Sequence, residues 1–143
     1  MFIAFNVNAA SWQDEPTEAI VGIHLLSDYG SRYQFLSTDI SATTVEEAVR
    51  KIDWKHGFYQ VVVVLTPGVS MEVGGSDNSI DGFSVMYRNR HNRIEAVIVS
   101  PPTTSEAMAE ILMEFIKGGN LICIDLSSIQ SKKCCELMIC PVL

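Results

Sequence analysis

Residues 61–65 read Val61-Val62-Val63-Val64-Leu65, and this run constrains the fold more than any other. Side chains branched at Cβ favour extended backbone, and no polar residue alternates with them. The run therefore predicts a central strand buried on both faces, extending over residues 59–65. A strand of that kind needs a neighbour along each edge and a layer over each face.

The flanking sequence supplies candidates for all of these. Residues 2–7 read as a first strand and residues 8–16 as a loop. Residues 19–26 and 32–36 form a hairpin around Tyr29-Gly30, with Tyr33 and Phe35 alternating against Arg32 and Gln34. A helix follows, with Thr43 or Thr44 as its cap and Glu46 or Glu47 closing a capping box. Val45, Ala48, Val49 and Ile52 make its apolar stripe. Beyond the valine run, Thr66-Pro67-Gly68 turns the chain into residues 69–73, and residues 74–82 form a loop. Phe83, Val85 and Tyr87 then alternate in a strand that pairs with residues 92–100 across Asn89-Arg90-His91. Thr103 and Glu106 predict a second capping box. It opens a helix with Ala107, Met108, Ile111, Leu112, Phe115 and Ile116 on one face, and Gly118-Gly119 ends it. Residues 121–126 read as a last short strand, and residues 134–139 as either helix or strand. The expected fold is α+β over a single domain, residues 1–143: an antiparallel sheet meander with two main α-helices packed on one face.

Composition narrows the function. The 143 residues carry 17 acids against 10 Lys and Arg, a net charge of −7. A chain that grips phosphate backbones is normally basic, so no nucleic-acid partner is expected. No apolar run approaches the roughly 20 residues of a spanning helix, and no basic start precedes an apolar stretch, so neither a membrane partner nor a secretory leader is expected. Residues 1–49 hold seven acids (Asp14, Glu15, Glu18, Asp28, Asp39, Glu46, Glu47) against the single base Arg32, a net −6. Such a field steers a basic partner. Cys123, Cys134, Cys135 and Cys140 all fall in the last 21 residues, with spacings unsuited to zinc. They suit buried thiols in a reducing compartment, which points to the cytoplasm.

Catalytic signatures are scarce. Residues 77–82, Asp77-Asn78-Ser79-Ile80-Asp81-Gly82, resemble the start of a calcium loop, but Arg88 stands where the bidentate Glu belongs and the flanks read as strands. Gly74-Gly75 lacks the Lys of a phosphate-binding loop. Arg88, Arg90, His91 and Arg93 cluster at a hairpin tip, either as a contact for an acidic partner or as a solvated turn that protects strand edges. Glu106, Glu110 and Glu114 line one stripe of the last helix, as a solvated face or as a dock for a basic surface. His24, His56 and His91 stand apart in sequence and no Gly-rich elbow surrounds a Ser. Neither enzymatic activity, nor a cofactor, nor a metal is expected.

The second half resembles the first immunity-protein family of bacterial polymorphic toxin systems. The resemblance covers residues 70–126. It rests on Gly74-Gly75, the hairpin at residues 83–99, Ser100-Pro101-Pro102, the helix at residues 104–117 with Phe115, then Gly118-Gly119 and Leu121-Ile122-Cys123-Ile124. It implies a small α+β protein that neutralises one cognate toxin domain, often a nuclease or a nucleic-acid deaminase, by covering its active site. The acidic balance suits a basic toxin cleft. The alternative is a scaffold or adaptor module that binds protein without inhibiting it. Interfaces combine aromatic anchors with charge. The expected partner-binding residues are therefore Trp12 with Asp14 and Glu15, Asp28 with Tyr29, and Glu72, Asp77 and Asp81 around the Gly loop.

Overall fold

A computed structural model describes residues 15–78, 80–98 and 100–118. The strands expected at residues 2–7 and 121–126, the segment 134–139, Trp12, Asp14 and the four cysteines lie outside these residues. The valine run forms β3 (Tyr59–Thr66), inside an open six-stranded antiparallel sheet. The other strands are β1 (Gly22–Ser27), β2 (Arg32–Ser37), β4 (Val69–Ser76), β5 (Gly82–Asn89) and β6 (Ile94–Val97), and the order is β2-β1-β3-β4-β5-β6. β3 to β6 form a meander, as expected. The β1–β2 hairpin joins the other side of β3 through β1, so the more apolar of its strands is buried and β2 takes the edge.

Val61, Val62, Val63 and Val64 are each 0% exposed, as a strand covered on both sides requires. Pairing sorts the side chains by face. Ile23, Val63, Met71, Tyr87 and Ala96 form one row of the first face, and Leu25, Val61, Val73 and Val85 form the next. Two helices, α2 (Ala42–Arg50) and α3 (Ser105–Lys117), cover this face. α2 contributes Val45 and Val49, and α3 contributes Met108, Leu112 and Phe115, whose ring meets Tyr87 edge-on at 6.1 Å.

Both caps differ from the sequence expectation. Ser41 caps α2, accepting from Thr44 N–H at 3.2 Å, because Ser41 is extended (φ −102°, ψ 160°) while Thr43 and Thr44 already lie inside the helix. Thr104 rather than Thr103 caps α3, accepting from Ala107 N–H at 3.1 Å, which puts Glu106 in the first turn beside the positive helix end.

The segment expected as one strand at residues 19–26 is divided. Pro16 starts a single turn, α1 (Pro16–Ala19), since its fixed φ suits the first helical position. The strand begins only at Gly22, which has φ 144°. A Cβ there would lie 2.7 Å from the Phe35 ring and 2.5 Å from the Ser37 carbonyl oxygen, so the close approach of β2 depends on this glycine. Among the described residues no helix is long and apolar enough to cross a membrane.

Gly75 closes the β4–β5 connection with φ 126°, and a Cβ there would sit 1.9 Å from the Gly82 carbonyl oxygen. Backbone rather than a movable side chain is in the way. Gly75→Ala is expected to lower stability by about 2 kcal/mol or more. A denaturant midpoint equal to that of the parent chain would contradict this close approach.

Candidate functional site

Three connections meet at one end of the sheet. Ser27 pairs with Arg32 and Tyr59, Tyr59 with Gly75, and Ser76 with Gly82. The β1–β2 turn, the α2–β3 connection and the β4–β5 loop therefore all leave the same row. Two large apolar side chains stand out from it, Tyr29 at 71% exposure and Ile80 at 90%.

Tyr29 is held there by its surroundings. Asp28 and Tyr29 both adopt left-handed backbone, at φ 51° and 56°, which residues with side chains seldom do. Gly30 follows at φ 85°, and Gly30 N–H and Ser31 N–H donate to the carbonyls of Ser27 and Asp28. The Tyr29 ring stacks on Phe58 with centroids 4.4 Å apart and planes 13° off parallel. Its hydroxyl donates to Asp81 at 3.3 Å, and the negative charge of Asp81 raises the phenol pKa above its ordinary value. The ring is thus neutral, stacked and tethered.

The loop carrying Asp81 is built by Asn78. Its side-chain oxygen accepts from Ile80 N–H at 2.8 Å and Asp81 N–H at 2.7 Å, and its amide nitrogen donates to Ser76 and Asp81. This is turn chemistry, and it accounts for the oxygen-rich sequence that resembles a calcium loop. Among the described residues no group of three His, Cys, Asp or Glu side chains is arranged to hold a metal ion. Beneath the loops lies Trp54. Its indole N–H donates to the Val49 carbonyl at 3.0 Å, and its own carbonyl accepts from Asp77 N–H at 2.7 Å and Ser76 Oγ at 3.1 Å. Its ring meets Tyr59 and Phe83 edge-on.

The charges of this end are mixed. Asp28 pairs with Arg32 at 3.1 Å and Asp53 with His56 at 2.8 Å, and the hydrogen bond from His56 lowers the Asp53 pKa. Asp77 and Asp81 add acid at the β4–β5 loop, and Lys51 and Lys55 add base from the α2–β3 connection.

The second face of the sheet is different in kind. Here α1 packs against β3 and β4, and the side chains form an ion-paired layer. Glu18, only 7% exposed, accepts from Arg90 Nε at 2.9 Å and again from Nη2. Arg90 also donates to Glu95 at 2.9 Å. Arg88 donates to Glu72 at 3.3 Å, and its Nε lies 3.8 Å from Glu18 and 3.6 Å from Glu95. Gln60 reaches across Gly74 to donate to Glu72 at 2.9 Å. Burial opposes the Arg90 charge, but the bonds and charges of Glu18 and Glu95 outweigh it and raise the Arg90 pKa. Arg88 and Arg90 thus hold the sheet to α1, and His91 bonds the Pro67 carbonyl at 2.8 Å.

Of the residues expected to bind a partner, the structure brings Asp28 and Tyr29 together with Asp77 and Asp81, merging two groups distant in sequence. Glu15 stands apart as the exposed N-cap of α1, and Glu72 lies in the ion-paired layer. Phe58, Trp54 and Ile80 escaped the sequence reading. Asn78 stood there as part of the calcium-like sequence at residues 77–82. No family model matches the chain, and neither does any curated protein or any solved structure.

A further titratable group, His24, is buried on the second face. His24 is 0% exposed, and burial lowers its pKa despite a bond to the Ile20 carbonyl. A carbonyl only accepts, so Nε2 carries the proton, donating at 2.7 Å, and Nδ1 accepts from the Tyr33 hydroxyl at 2.9 Å. A His neutral when folded and protonated when unfolded makes the unfolded state bind more protons. Its contribution is full above the unfolded value of about 6.5 and is lost as pH falls from there toward the lower folded value. Denaturant midpoints from pH 7.5 to 5 should therefore fall, and His24→Gln should flatten that fall. An identical pH profile in the variant would show that His24 is not the group responsible.

Proposed function

We propose that this chain is an immunity protein that binds a cognate toxin domain and neutralises it by covering its active site. The observation that carries the reading is Tyr29, 71% exposed yet stacked on Phe58 and tethered to Asp81. An exposed aromatic fixed in advance loses little conformational freedom on binding, and such anchors dominate interface energies. Ile80 beside it extends the apolar centre, and Asp28, Asp77 and Asp81 supply an acidic rim for a basic partner. The net charge of −7 steers such a partner toward the chain. A toxin acting on nucleic acid, a nuclease or a deaminase, has the basic cleft this chemistry suits. Inhibition by occlusion needs no cofactor and no turnover, and the cytoplasm is where such a toxin must be blocked. The second reading is an adaptor that binds without inhibiting. It is favoured by Lys51 and Lys55, which make the rim less uniformly acidic than a phosphate mimic.

The test is affinity capture with the tagged chain from its source cells over a salt series, followed by an activity assay of the recovered partner. One toxin-like polypeptide in equimolar amount, inhibited when bound and released more readily at high salt, is the expected result. Tyr29→Ala should weaken binding by about 2 kcal/mol or more, roughly thirtyfold, and Asp81→Asn should weaken it in the same direction. A bound partner with full activity would establish the adaptor reading. Unchanged affinity in both variants would remove the contact from this end of the sheet.

A further inference from the structure

The groove between α2 and α3 is a second surface, remote in composition from the Tyr29 end. It is a cavity of about 270 Å³ lined by Glu46, Val49 and Arg50 of α2 and by Ser105, Glu106, Ala109, Glu110 and Met113 of α3. Its floor is apolar, formed by Val49, Ala109 and the half-buried Met113. Its rim carries three carboxylates against one guanidinium. Arg50 is already engaged by Glu46 on its own helix, in an exposed i,i+4 pair. Glu106 and Glu110 are both exposed, and Glu106 lies in the first turn of α3. Glu114, the third acid of the stripe, is turned to Lys117 at 3.7 Å and does not line the groove.

An apolar floor with a net negative rim has a specific complement. We propose that this groove receives the side chain of an arginine or lysine presented by a partner protein. The aliphatic stem lies along Val49, Ala109 and Met113, and the cationic head reaches Glu106 and Glu110. Long basic side chains are built for such a site, since the stem buries as hydrocarbon while the charge stays near the rim. Arginine fits best, because its planar fork can span two carboxylates. The inference does not rest on the proposed neutralising role, since a basic side chain can be read by this groove whatever the partner does.

The probe is the capped peptide acetyl-Gly-Arg-Gly-amide, titrated against the full chain with methyl-labelled methionine. Its control is the same peptide with citrulline, which keeps the shape and removes the charge. The arginine peptide should shift the Met113 methyl resonance saturably, with half-saturation at about millimolar concentration for so small a ligand, and the citrulline peptide should not. Glu106→Gln with Glu110→Gln should weaken binding by about tenfold or more. Glu15→Gln with Glu47→Gln, which removes equal charge elsewhere, should change it little. Tyr29→Ala should leave it unchanged. Equal shifts with both peptides, no saturable shift, equal loss in the two double variants, or loss in Tyr29→Ala would each overturn the assignment. Circular dichroism of the variants confirms that the helices are intact.

Discussion

The structure depends on burying β3 from both sides. Four consecutive valines with no exposed surface leave no solvated face on the strand, so the sheet cannot be a simple two-layer arrangement with one wet side. The helices answer for the first face in the ordinary way, with Val45, Val49, Met108, Leu112 and Phe115 forming the opposing apolar layer. On the second face Val62 and Val64 share their rows with Glu72, Arg88, Glu95 and His24, so polar groups are brought in with them and need partners there, although Ser70 Oγ and Arg88 Nε make no hydrogen bond among the described residues. Glu18 answers that need from 72 residues away in sequence. Pairs of this kind add modest net stability but cost several kcal/mol to break on one side only. Their contribution is to fix α1, and with it the start of β1, in one place on the sheet.

A sheet braced in this way can hold an unfavourable turn. Two successive left-handed residues with side chains, Asp28 and Tyr29, raise the energy of the β1–β2 connection, and the stack on Phe58 and the bond to Asp81 offset it. Trp54 ties the α2–β3 connection to α2 below and to the β4–β5 loop above. The exposed aromatic is thus coupled through short contacts to the core. On the proposed reading, this end of the sheet is prepared for a partner rather than shaped by one.

Much of the architecture was legible in the sequence, because periodicity reports burial. The valine run, the alternation of Phe83, Val85 and Tyr87, and the helical stripes all led to the right elements and to an α+β sheet with helices on one face. The errors arose where several residues competed for one role. Thr43, Thr44 and Ser41 all offer a hydroxyl near the start of α2, and the backbone decides among them, since Ser41 is extended and the helix begins at Ala42. Residues 19–26 look like one apolar strand, yet Pro16 and the crowding at Gly22 divide them. The site was half legible. Aromatic residues beside acids pointed to Asp28, Tyr29, Asp77 and Asp81, but their meeting across 52 residues is a property of strand register. Phe58 carries no local signal at all, since its role exists only once Tyr29 is folded over it. Arg88 and Arg90 look like part of a free basic spot until the fold places Glu72, Glu95 and Glu18 around them.

Amide hydrogen exchange of the free chain and of the chain bound to its captured partner tests the central claim most directly, since it reads the braced sheet and the presented end together. The account predicts that residues 61–64 exchange most slowly in both states. It also predicts that residues 28–31 and 77–81 gain protection only in the complex. Rapid exchange along β3 in the free chain, or a complex that leaves both of those loops unprotected, would contradict it.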